Sequence, residues 1–328
     1  MPKNQRVTVF RGGKDGNYAI SMRTGSDTIK TLNRLGYQTR DIVVTKNQEF
    51  LEEGRSRNIS LLLEGADIVF LGLHGKSAED GSLQKILQKK SIKFNGSSSL
   101  SSAMAFNKLF TKNTLKSYGV LTPQHFVLPE IIDVNELEKI VTLIKDSFGP
   151  NYIIKPIANS SSLDSYFAAN IYELKAILFG LFNNKSNQDR WLIEEFIDGK
   201  EISVALLENF RNEKTYVFPP GEIIFSSDYP YFTYEAKLKK QRDLYCPSTL
   251  TYSIKNEISQ LAEKIHTVLN LSQYSRSDFI VSDDGKIYFL EINSLPELSC
   301  DSTYTKIVES VGVRYEDLIN HIITTSTA

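Results

Sequence analysis

Alternating strand-like and helix-like segments occupy the first hundred residues. The apolar run RVTVF ends in two glycines, and a helical pattern around SDTIKTLNRLG follows and stops at Gly36. A strand pattern near TRDIVV, an acidic helical pattern around EFLEEGRS and the apolar run ADIVFLGL come next. This alternation predicts a parallel sheet covered by helices on both faces. Ligands usually bind in the loops that follow such strands, here residues 12–21 and 74–82.

The pattern changes from about residue 105. A helix (FNKLFTKNTLKSYG) leads to a strand, a second helix and the strand YIIKPI, after which comes the polar segment ANSSSLDS. WLIEEFIDGKEISVALLEN predicts two strands joined by a short turn, whereas residues 226–250 show little periodicity and indicate a long loop. A helix over about 254–270, an acidic hairpin and a last helix, YEDLINHIITT, complete the chain.

Composition narrows the class of protein. The chain has 328 residues, 41% hydrophobic and 23% charged, with a net charge of −1, which is typical of a folded protein of two or three domains. This charge gives no reason to expect nucleic acid or a membrane surface as a partner. Two cysteines, no long apolar stretch at the N-terminus and no run of transmembrane length lead us to expect a cytoplasmic protein.

The acidic hairpin, RSDFIVSDDGKIYFLEINSLP at residues 276–296, carries carboxylates inside strand-like runs. Asp284–Gly285 predicts a two-residue turn, so that the numbers of paired residues sum to about 569. Asp278 then lies directly opposite Glu291. Asn293 shares their face, because strand side chains alternate with period two.

Two like charges side by side are costly to bury without a compensating cation or proton. Hard divalent ions such as Mg²⁺ prefer carboxylate and amide oxygens and are commonly shared with nucleotide phosphates. A metal site is one interpretation of the hairpin. The alternative is an exposed hairpin whose acids pair with Arg276 or with nearby lysines.

Several stretches together resemble a known family. They are LGLHGKSAEDGSLQKIL, FNKLFTK, YIIKPIANSSS, WLIEEFIDGKE, YEAKL, YCPS and RSDF…YFLEIN. In their order and spacing the chain resembles the ATP-grasp superfamily, and within it the D-alanine–D-alanine ligases. The resemblance implies an α/β fold, α+β in its C-terminal part: an N-terminal Rossmann-like domain (1–104), a central small α+β domain (105–190) and a C-terminal sheet domain (191–328), with ATP between the last two.

The resemblance also implies the nucleotide site. Lys108 and Lys155 resemble the two lysines that contact the ATP phosphates. The linker that lines the adenine pocket corresponds to Glu194, Glu195, Phe196 and Ile197, and Glu201 resembles the acid that binds the ribose. Lys237 resembles a lysine near the γ-phosphate. Lys108, Lys155 and Glu201 could instead be solvated surface residues.

The family mechanism has two steps. One amino acid's carboxylate attacks the γ-phosphate of ATP, and the amine of a second amino acid then attacks the acyl phosphate. The resemblance implies two Mg²⁺ or Mn²⁺ ions held by Asp278, Glu291 and Asn293, and it makes Arg276 the residue that stabilises the oxyanion. Residues 226–245 and the ANSSS loop are candidate lids that exclude water.

Departures from the family pattern fall in the amino-acid pocket. Asn17 stands where the family has a glutamate that holds the first amino acid's ammonium, and Asp15 could substitute for it. Leu238 replaces a tyrosine that supports that glutamate through a serine, which Ser161 matches. Glu297 replaces the glycine of a PGM turn.

Other pocket residues are kept. Ser302 matches the serine that binds the second carboxylate, and His74 matches the histidine of an HGxxGEDG loop. The glycine-rich EGSSVG loop has become NSSSLD, which makes close backbone approach to phosphate less assured. The residues that match the family's nucleotide and metal sites are thus retained, while several residues of the amino-acid pocket differ from the family pattern.

The function that the resemblance implies is ATP-dependent ligation of two amino acids, by default D-alanine–D-alanine formation for the cell wall. A ligase for a different dipeptide or depsipeptide, or a nucleotide-binding pseudoenzyme, stays open. The chain lacks the GxGxxG spacing of a nicotinamide-dependent oxidoreductase. The expected partners are small amino acids and, as in many family members, a second copy of the chain.

Overall fold

The N-terminal part of the protein is built on a six-stranded sheet. The computed structural model describes residues 5–14, 17–129, 133–158, 165–183, 190–225 and 242–327. The strands of the first sheet are β1 (Arg6–Gly12), β2 (Gln38–Val44), β3 (Phe50–Glu52), β4 (Arg55–Ser56), β5 (Ile68–Leu71) and β6 (Lys93–Phe94), in the spatial order β4-β3-β2-β1-β5-β6. The four strands β2, β1, β5 and β6 are parallel, as predicted.

Five helices belong to this described region: α1 (Tyr18–Arg34), α2 (Ile59–Leu62), α3 (Lys76–Glu79), α4 (Ser82–Lys89) and α5 (Ser99–Phe106). The helix predicted around EFLEEGRS is wrong, because this segment forms β3 and β4, which pair antiparallel. Phe50 packs edge-on against the ring of Phe10, 5.9 Å away, and Glu52 pairs with Arg40 at 2.8 Å. Tertiary contacts therefore override the local helical pattern.

A four-stranded antiparallel sheet follows. Its strands are β7 (His125–Val127), β8 (Tyr152–Pro156), β9 (Tyr166–Ala168) and β10 (Trp191–Glu195), in the order β7-β10-β8-β9. The helices of this region are α6 (Lys108–Lys116), α7 (Val134–Ser147) and α8 (Ile171–Asn183). Helices α7 and α8 cover the sheet and close a separate hydrophobic core with the side chains of Leu137, Ile144, Leu174 and Leu178.

The third sheet contains the acidic hairpin. Its strands are β11 (Lys200–Phe210), β12 (Glu213–Val217), β13 (Gly221–Phe225), β14 (Arg242–Tyr245), β15 (Tyr274–Val281) and β16 (Ile287–Asn293), in the order β14-β13-β11-β15-β16, with β12 also paired to β11. Helices α9 (Tyr252–Val268), α10 (Thr303–Glu309) and α11 (Tyr315–Thr325) complete the described chain.

The first and third sheets share one hydrophobic core. Residues of β1 and β5 belong to the same buried cluster as Tyr274 of β15, Tyr304 of α10 and Ile322 of α11. The second sheet has its own core, so it joins the rest of the protein through fewer apolar contacts. The chain passes from the second to the third sheet between Glu195 and Lys200. The domain boundaries given above stay a prediction.

The hairpin keeps the predicted pairing of its acids but not the predicted turn. Asp278 is the cross-strand partner of Glu291, as expected, whereas Val281 pairs with Ile287. The pairing numbers therefore sum to 568 near the tip and to 569 at the acids.

A three-residue tip and a bulge explain this change of register. The backbone N–H of Ser282 donates to the carbonyl of Lys286 at 3.0 Å, which leaves residues 283–285 as the loop, with Gly285 at φ 80°. The register then shifts by one residue between Asp278 and Phe279, opposite Leu290. The three-residue tip and the bulge offset each other, so Asp278 and Glu291 pair as they would in a hairpin with a two-residue turn.

No helix in the described ranges is both long and apolar enough to cross a membrane.

Substitution of alanine for two glycines tests the hairpin geometry. Gly285→Ala places a Cβ in open space, so only the positive φ costs stability, and we expect a loss of about 1 kcal/mol. Gly199 has φ 154°, and a Cβ there would lie 2.2 Å from the carbonyl oxygen of Val281. We expect Gly199→Ala to cost about 2–3 kcal/mol. Urea unfolding measures both, and equal losses would contradict either the open space around Gly285 or the close approach of Gly199 to Val281.

Candidate functional site

A cleft lies between the second and third sheets and encloses about 1140 Å³, including its open mouth. It is lined by β8 and β10 on one side, by β15 and β16 on the other, and by the start of α6. Ten of the predicted site residues line it: Lys108, Lys155, Glu194, Glu195, Phe196, Ile197, Glu201, Arg276, Asp278 and Glu291. Residues far apart in the sequence are thus gathered in one cavity.

A buried carboxylate between two lysines forms the second-sheet wall of the cleft. Lys155 Nζ lies 2.8 Å from Glu194 Oε2, and Lys112 Nζ lies 3.0 Å from Glu194 Oε1. Lys155 pairs with Leu192 and Glu194 with Ile153 across β8 and β10, which puts both charged side chains on one face. Such a triad is compatible with a dry interior only because the charges compensate each other.

Charge compensation sets the protonation of this triad. Burial lowers the pKa of Lys112 to about 8, against the opposing charge of Glu194. Burial would raise the pKa of Glu194, but the two lysines outweigh it and lower that pKa. The carboxylate therefore stays ionised beside Lys155, which faces the cleft.

Sequence reasoning missed Lys112. It stands one helical turn after Lys108 in FNKLFTK, so both lysines lie on the same side of α6. This spacing was the available signal, but its partner, Glu194, is 82 positions away in the chain.

The adjacent acid on β10 points differently. Glu195 Oε1 accepts a hydrogen bond from the backbone N–H of Gln124 at 2.9 Å. Phe196, which follows it, packs edge-on against Phe167 with ring centroids 5.3 Å apart. The segment from Glu194 to Ile197 thus gives the cleft one ion-paired acid and an apolar wall.

The acid pair of the hairpin forms the opposite wall. Asp278 is buried, accepts a hydrogen bond from Ser203 Oγ at 2.6 Å and lies 2.8 Å from Arg276 Nη2. Glu291 Oε2 lies 3.1 Å from Lys108 Nζ. The acids are therefore paired with Arg276 and a lysine, as the alternative interpretation expected, but inside a cleft rather than on an exposed hairpin.

Arg276 is surrounded by negative charge. Burial alone would lower its pKa, yet Asp278, then Glu291 and then Glu297 raise it instead. The guanidinium therefore remains charged, and Asp278 fixes its position with three contacts of 2.8–3.3 Å.

The predicted metal ligands agree only partly with a metal centre. Nowhere in the described ranges do three or more His, Cys, Asp or Glu side chains form a group suited to a metal ion. Asp278, Glu291 and Asn293 instead offer two carboxylates and one amide on neighbouring strands. Asn293 is buried, and its Nδ2 has no hydrogen-bond partner among the residues described. This oxygen-rich set suits a hard divalent ion that takes further ligands from a phosphate.

The structure describes some of the residues that were predicted to bind the amino-acid substrates. His74 is buried, with Nε2 3.1 Å from Thr24 Oγ1, and burial lowers its pKa. Ser302 is the N-cap of α10: its Oγ accepts from the backbone N–H of Thr305 and donates to the Glu297 carbonyl at 2.7 Å. Asn17 precedes α1, and its side chain makes no capping hydrogen bond. Asp15, Ser161, Lys237 and Leu238 lie outside the described residues.

Glu297 has a charged partner that the sequence did not reveal. Its Oε1 lies 2.6 Å from Arg23 Nη2 and accepts a hydrogen bond from Ser299 Oγ, also at 2.6 Å. Arg23 belongs to α1, 274 positions away, so no local pattern indicates this pair. The replacement of a turn glycine by an acid was the only visible sign.

The two glutamates of β10 give a matched test of the triad. Glu194→Gln leaves two buried lysines without a counter-charge, and we expect it to reduce the free energy of unfolding by about 3–5 kcal/mol. Glu195→Gln keeps an oxygen for Gln124 and should cost about 1 kcal/mol or less. Urea unfolding of both variants measures the difference. Similar losses would show that the triad does not stabilise the second sheet.

Comparison with known proteins gives one family. The family model described as D-ala D-ala ligase C-terminus matches residues 114–324. D-alanine–D-alanine ligase B of Clostridium perfringens is 27% identical over 321 residues, which cover 98% of each chain.

Two solved structures show the same fold. The VanG D-Ala:D-Ser ligase of Enterococcus faecalis has a TM-score of 0.79 at 22% identity, over 98% of this chain and 99% of that one. D-alanine–D-alanine ligase of Bacillus anthracis complexed with ATP has a TM-score of 0.76 at 24% identity, over 98% and 97%. Since the family model covers more than half of the chain, the protein belongs to the D-alanine–D-alanine ligase family.

Proposed function

We propose that the protein is an ATP-dependent ligase that joins two amino acids through an acyl phosphate, with D-alanine–D-alanine as the product, for cell-wall precursor synthesis. The observation that carries this proposal is the cleft, where two lysines and an arginine meet an opposed pair of carboxylates. Phosphoryl transfer needs charge neutralisation and positioning more than covalent help from the protein. The cleft offers both.

ATP would bind in the cleft with its adenine against the second sheet. Ile197 and Phe196 supply an apolar wall for the base, while Glu201 on β11 can accept from the ribose hydroxyls. Lys155 and Lys108 line the cleft from two different elements, β8 and α6, and would contact the phosphates. Each is held by a carboxylate in this structure, Glu194 and Glu291 respectively.

Asp278, Glu291 and Asn293 would hold Mg²⁺ or Mn²⁺, up to two ions. Bound there, the metal would neutralise charge on the phosphate oxygens. A phosphate also competes for Lys108, which would free the Glu291 carboxylate for this role. Arg276 is oriented by Asp278 and points its guanidinium into the cleft, where it would stabilise the oxyanion of the tetrahedral intermediate.

The chemistry balances in two steps. A substrate carboxylate oxygen attacks the γ-phosphorus, the bond to the β-phosphate oxygen breaks, and ADP leaves with both electrons. The neutral amine of the second substrate then attacks the acyl carbon, phosphate leaves, and the amine nitrogen gives up a proton. Ser161 and Lys237 are proposed as further catalytic residues, and Asn17, Asp15, His74, Ser302 and Leu238 as amino-acid contacts. We also propose a cytoplasmic location and a homodimer.

The direct test is ATP turnover with pairs of D- and L-amino acids and hydroxy acids, with product masses as the readout. We expect D-alanyl-D-alanine with one ADP per dipeptide. A different mass identifies another dipeptide or a depsipeptide. ATP binding without any product would instead indicate a nucleotide-binding pseudoenzyme and contradict the proposal.

Glu291→Gln tests the metal and phosphate side of the cleft. Because the variant removes one of two opposed carboxylates, we expect ATP binding to lose its Mg²⁺ dependence and turnover to become undetectable. Circular dichroism should show an unchanged fold. Glu213→Gln, an exposed acid on β12, is the control and should turn over normally. Normal turnover of Glu291→Gln would remove Glu291 from the metal site.

Lys155→Ala tests the nucleotide side. The lysine lines the cleft and supplies positive charge, so its loss should raise the KM for ATP about tenfold or more. Lys200→Ala is the control, since Lys200 is exposed and pairs with Glu222 outside the cleft lining. If both variants keep the wild-type KM and rate, Lys155 does not bind phosphate.

A further inference from the structure

Lys112 lies behind the wall of the nucleotide cleft. Its side chain has no exposed surface, and it is not among the described residues that line the cleft, whereas Lys155 is one of them. Lys112 Nζ lies 3.0 Å from Glu194 Oε1 and donates to the backbone carbonyl of Phe289 at 3.5 Å. A buried ammonium is costly unless a charge compensates it, so Lys112 depends on Glu194.

The two oxygens of the Glu194 carboxylate are held by different lysines. Oε2 lies 2.8 Å from Lys155 Nζ, while the contact of Oε1 with Lys112 is an ion pair without the geometry of a hydrogen bond. Glu194 is only 2% exposed, so solvent offers its charge little compensation. One acid thus serves two lysines, and a ligand in the cleft reaches only Lys155.

Phosphate binding would change this balance. In the proposed function, a phosphate oxygen competes for Lys155, and Glu194 then loses the cation on its Oε2. Lys112 and Lys155 are the two cations that act most on Glu194. Without Lys112, the competition would leave a buried carboxylate with no counter-charge, which is strongly unfavourable. With Lys112 present, the carboxylate keeps one cation when Lys155 turns to the nucleotide.

We propose that Lys112 is a positioning residue for ATP: it holds the charge of Glu194, so that Lys155 can leave that carboxylate and bind the phosphates. The inference rests on the proposed ligase function, because it requires a nucleotide triphosphate in the cleft. Lys112 then affects nucleotide affinity without touching the nucleotide. Its effect depends on the presence of phosphate in the ligand and on the carboxylate of Glu194.

Equilibrium binding to Lys112→Met tests this role without requiring turnover. The substitution removes the charge and keeps most of the length of the side chain. We expect it to weaken binding of a non-hydrolysable ATP analogue about tenfold or more, because Lys155 becomes the only cation left to Glu194. Binding of adenosine, which has no phosphate to compete for Lys155, should change by less than about twofold.

Calorimetry measures the analogue and ligand-observed NMR measures adenosine. Both titrations are made at pH 7, where Lys112 is protonated because its pKa is about 8. Urea unfolding establishes that each variant is folded under these conditions. Lys112→Gln, which keeps an N–H donor for the carbonyl of Phe289 but carries no charge, is a second variant and should show the same difference between the two ligands.

The double variant Lys112→Met with Glu194→Gln separates charge from structure. Removal of the carboxylate leaves no acid to hold Lys155 back, so we expect this variant to bind the analogue about fivefold or more tightly than Lys112→Met does. A merely structural role of Lys112 predicts the opposite, because two substitutions in one buried cluster would each weaken the site. A double variant that binds no better than Lys112→Met overturns the inference.

Lys116→Met is the matched control. Lys116 is also a lysine of α6, one helical turn after Lys112, but it is exposed. We expect this variant to bind both ligands as the wild type does. Equal losses of analogue binding in Lys112→Met and Lys116→Met would indicate a general effect of the charge on α6 and overturn the inference.

The remaining outcomes separate the inference from the proposed function. An unchanged affinity for the analogue in Lys112→Met, or an equal loss for adenosine, overturns the inference alone. A wild type that binds no nucleotide overturns both the inference and the proposed function. Nucleotide binding that depends on Lys112 as expected, without any dipeptide formed, supports the inference and counts against the ligase function alone.

Discussion

Compensation of buried charge is the constraint on which the cleft depends. Three of its acids are buried or half-buried, and each meets a cation from another position: Glu194 meets Lys112 and Lys155, Glu291 meets Lys108, and Asp278 meets Arg276. A carboxylate left alone in such a place would cost several kcal/mol. The ion pairs therefore connect α6, the second sheet and the third sheet around one cavity.

The same pairing leaves the cleft ready for an anionic ligand. In the proposed function, a nucleotide triphosphate would bring oxygens that compete with Glu194 and Glu291 for their lysines, and a divalent ion would replace the lost counter-charge on the acids. Binding of such a ligand would then exchange the ion-pair partners of Lys108 and Lys155, and it would bury no new unpaired charge.

Part of the fold and site could be predicted from the sequence because their signals are local. The parallel strands of the first sheet and the pairing of Asp278 with Glu291 follow from strand patterns, and the presence of Lys155 and Glu194 in one cleft follows from the matched stretches. The predicted two-residue turn of the hairpin was wrong. The sequence Asp284–Gly285 does not distinguish a two-residue loop from a three-residue loop followed by a bulge. Lys112 and Arg23 were missed because their partners are 82 and 274 positions away.

The bulge at Leu290 decides which face of the hairpin carries the acid pair. A one-residue change in a plain hairpin would turn every side chain beyond it to the opposite face. Here an extra residue in β16 absorbs such a change before Glu291 is reached. The extra residue of the tip at 283–285 is therefore offset by one extra residue in β16, so the acid pair keeps the face that it would have in a hairpin with a two-residue turn.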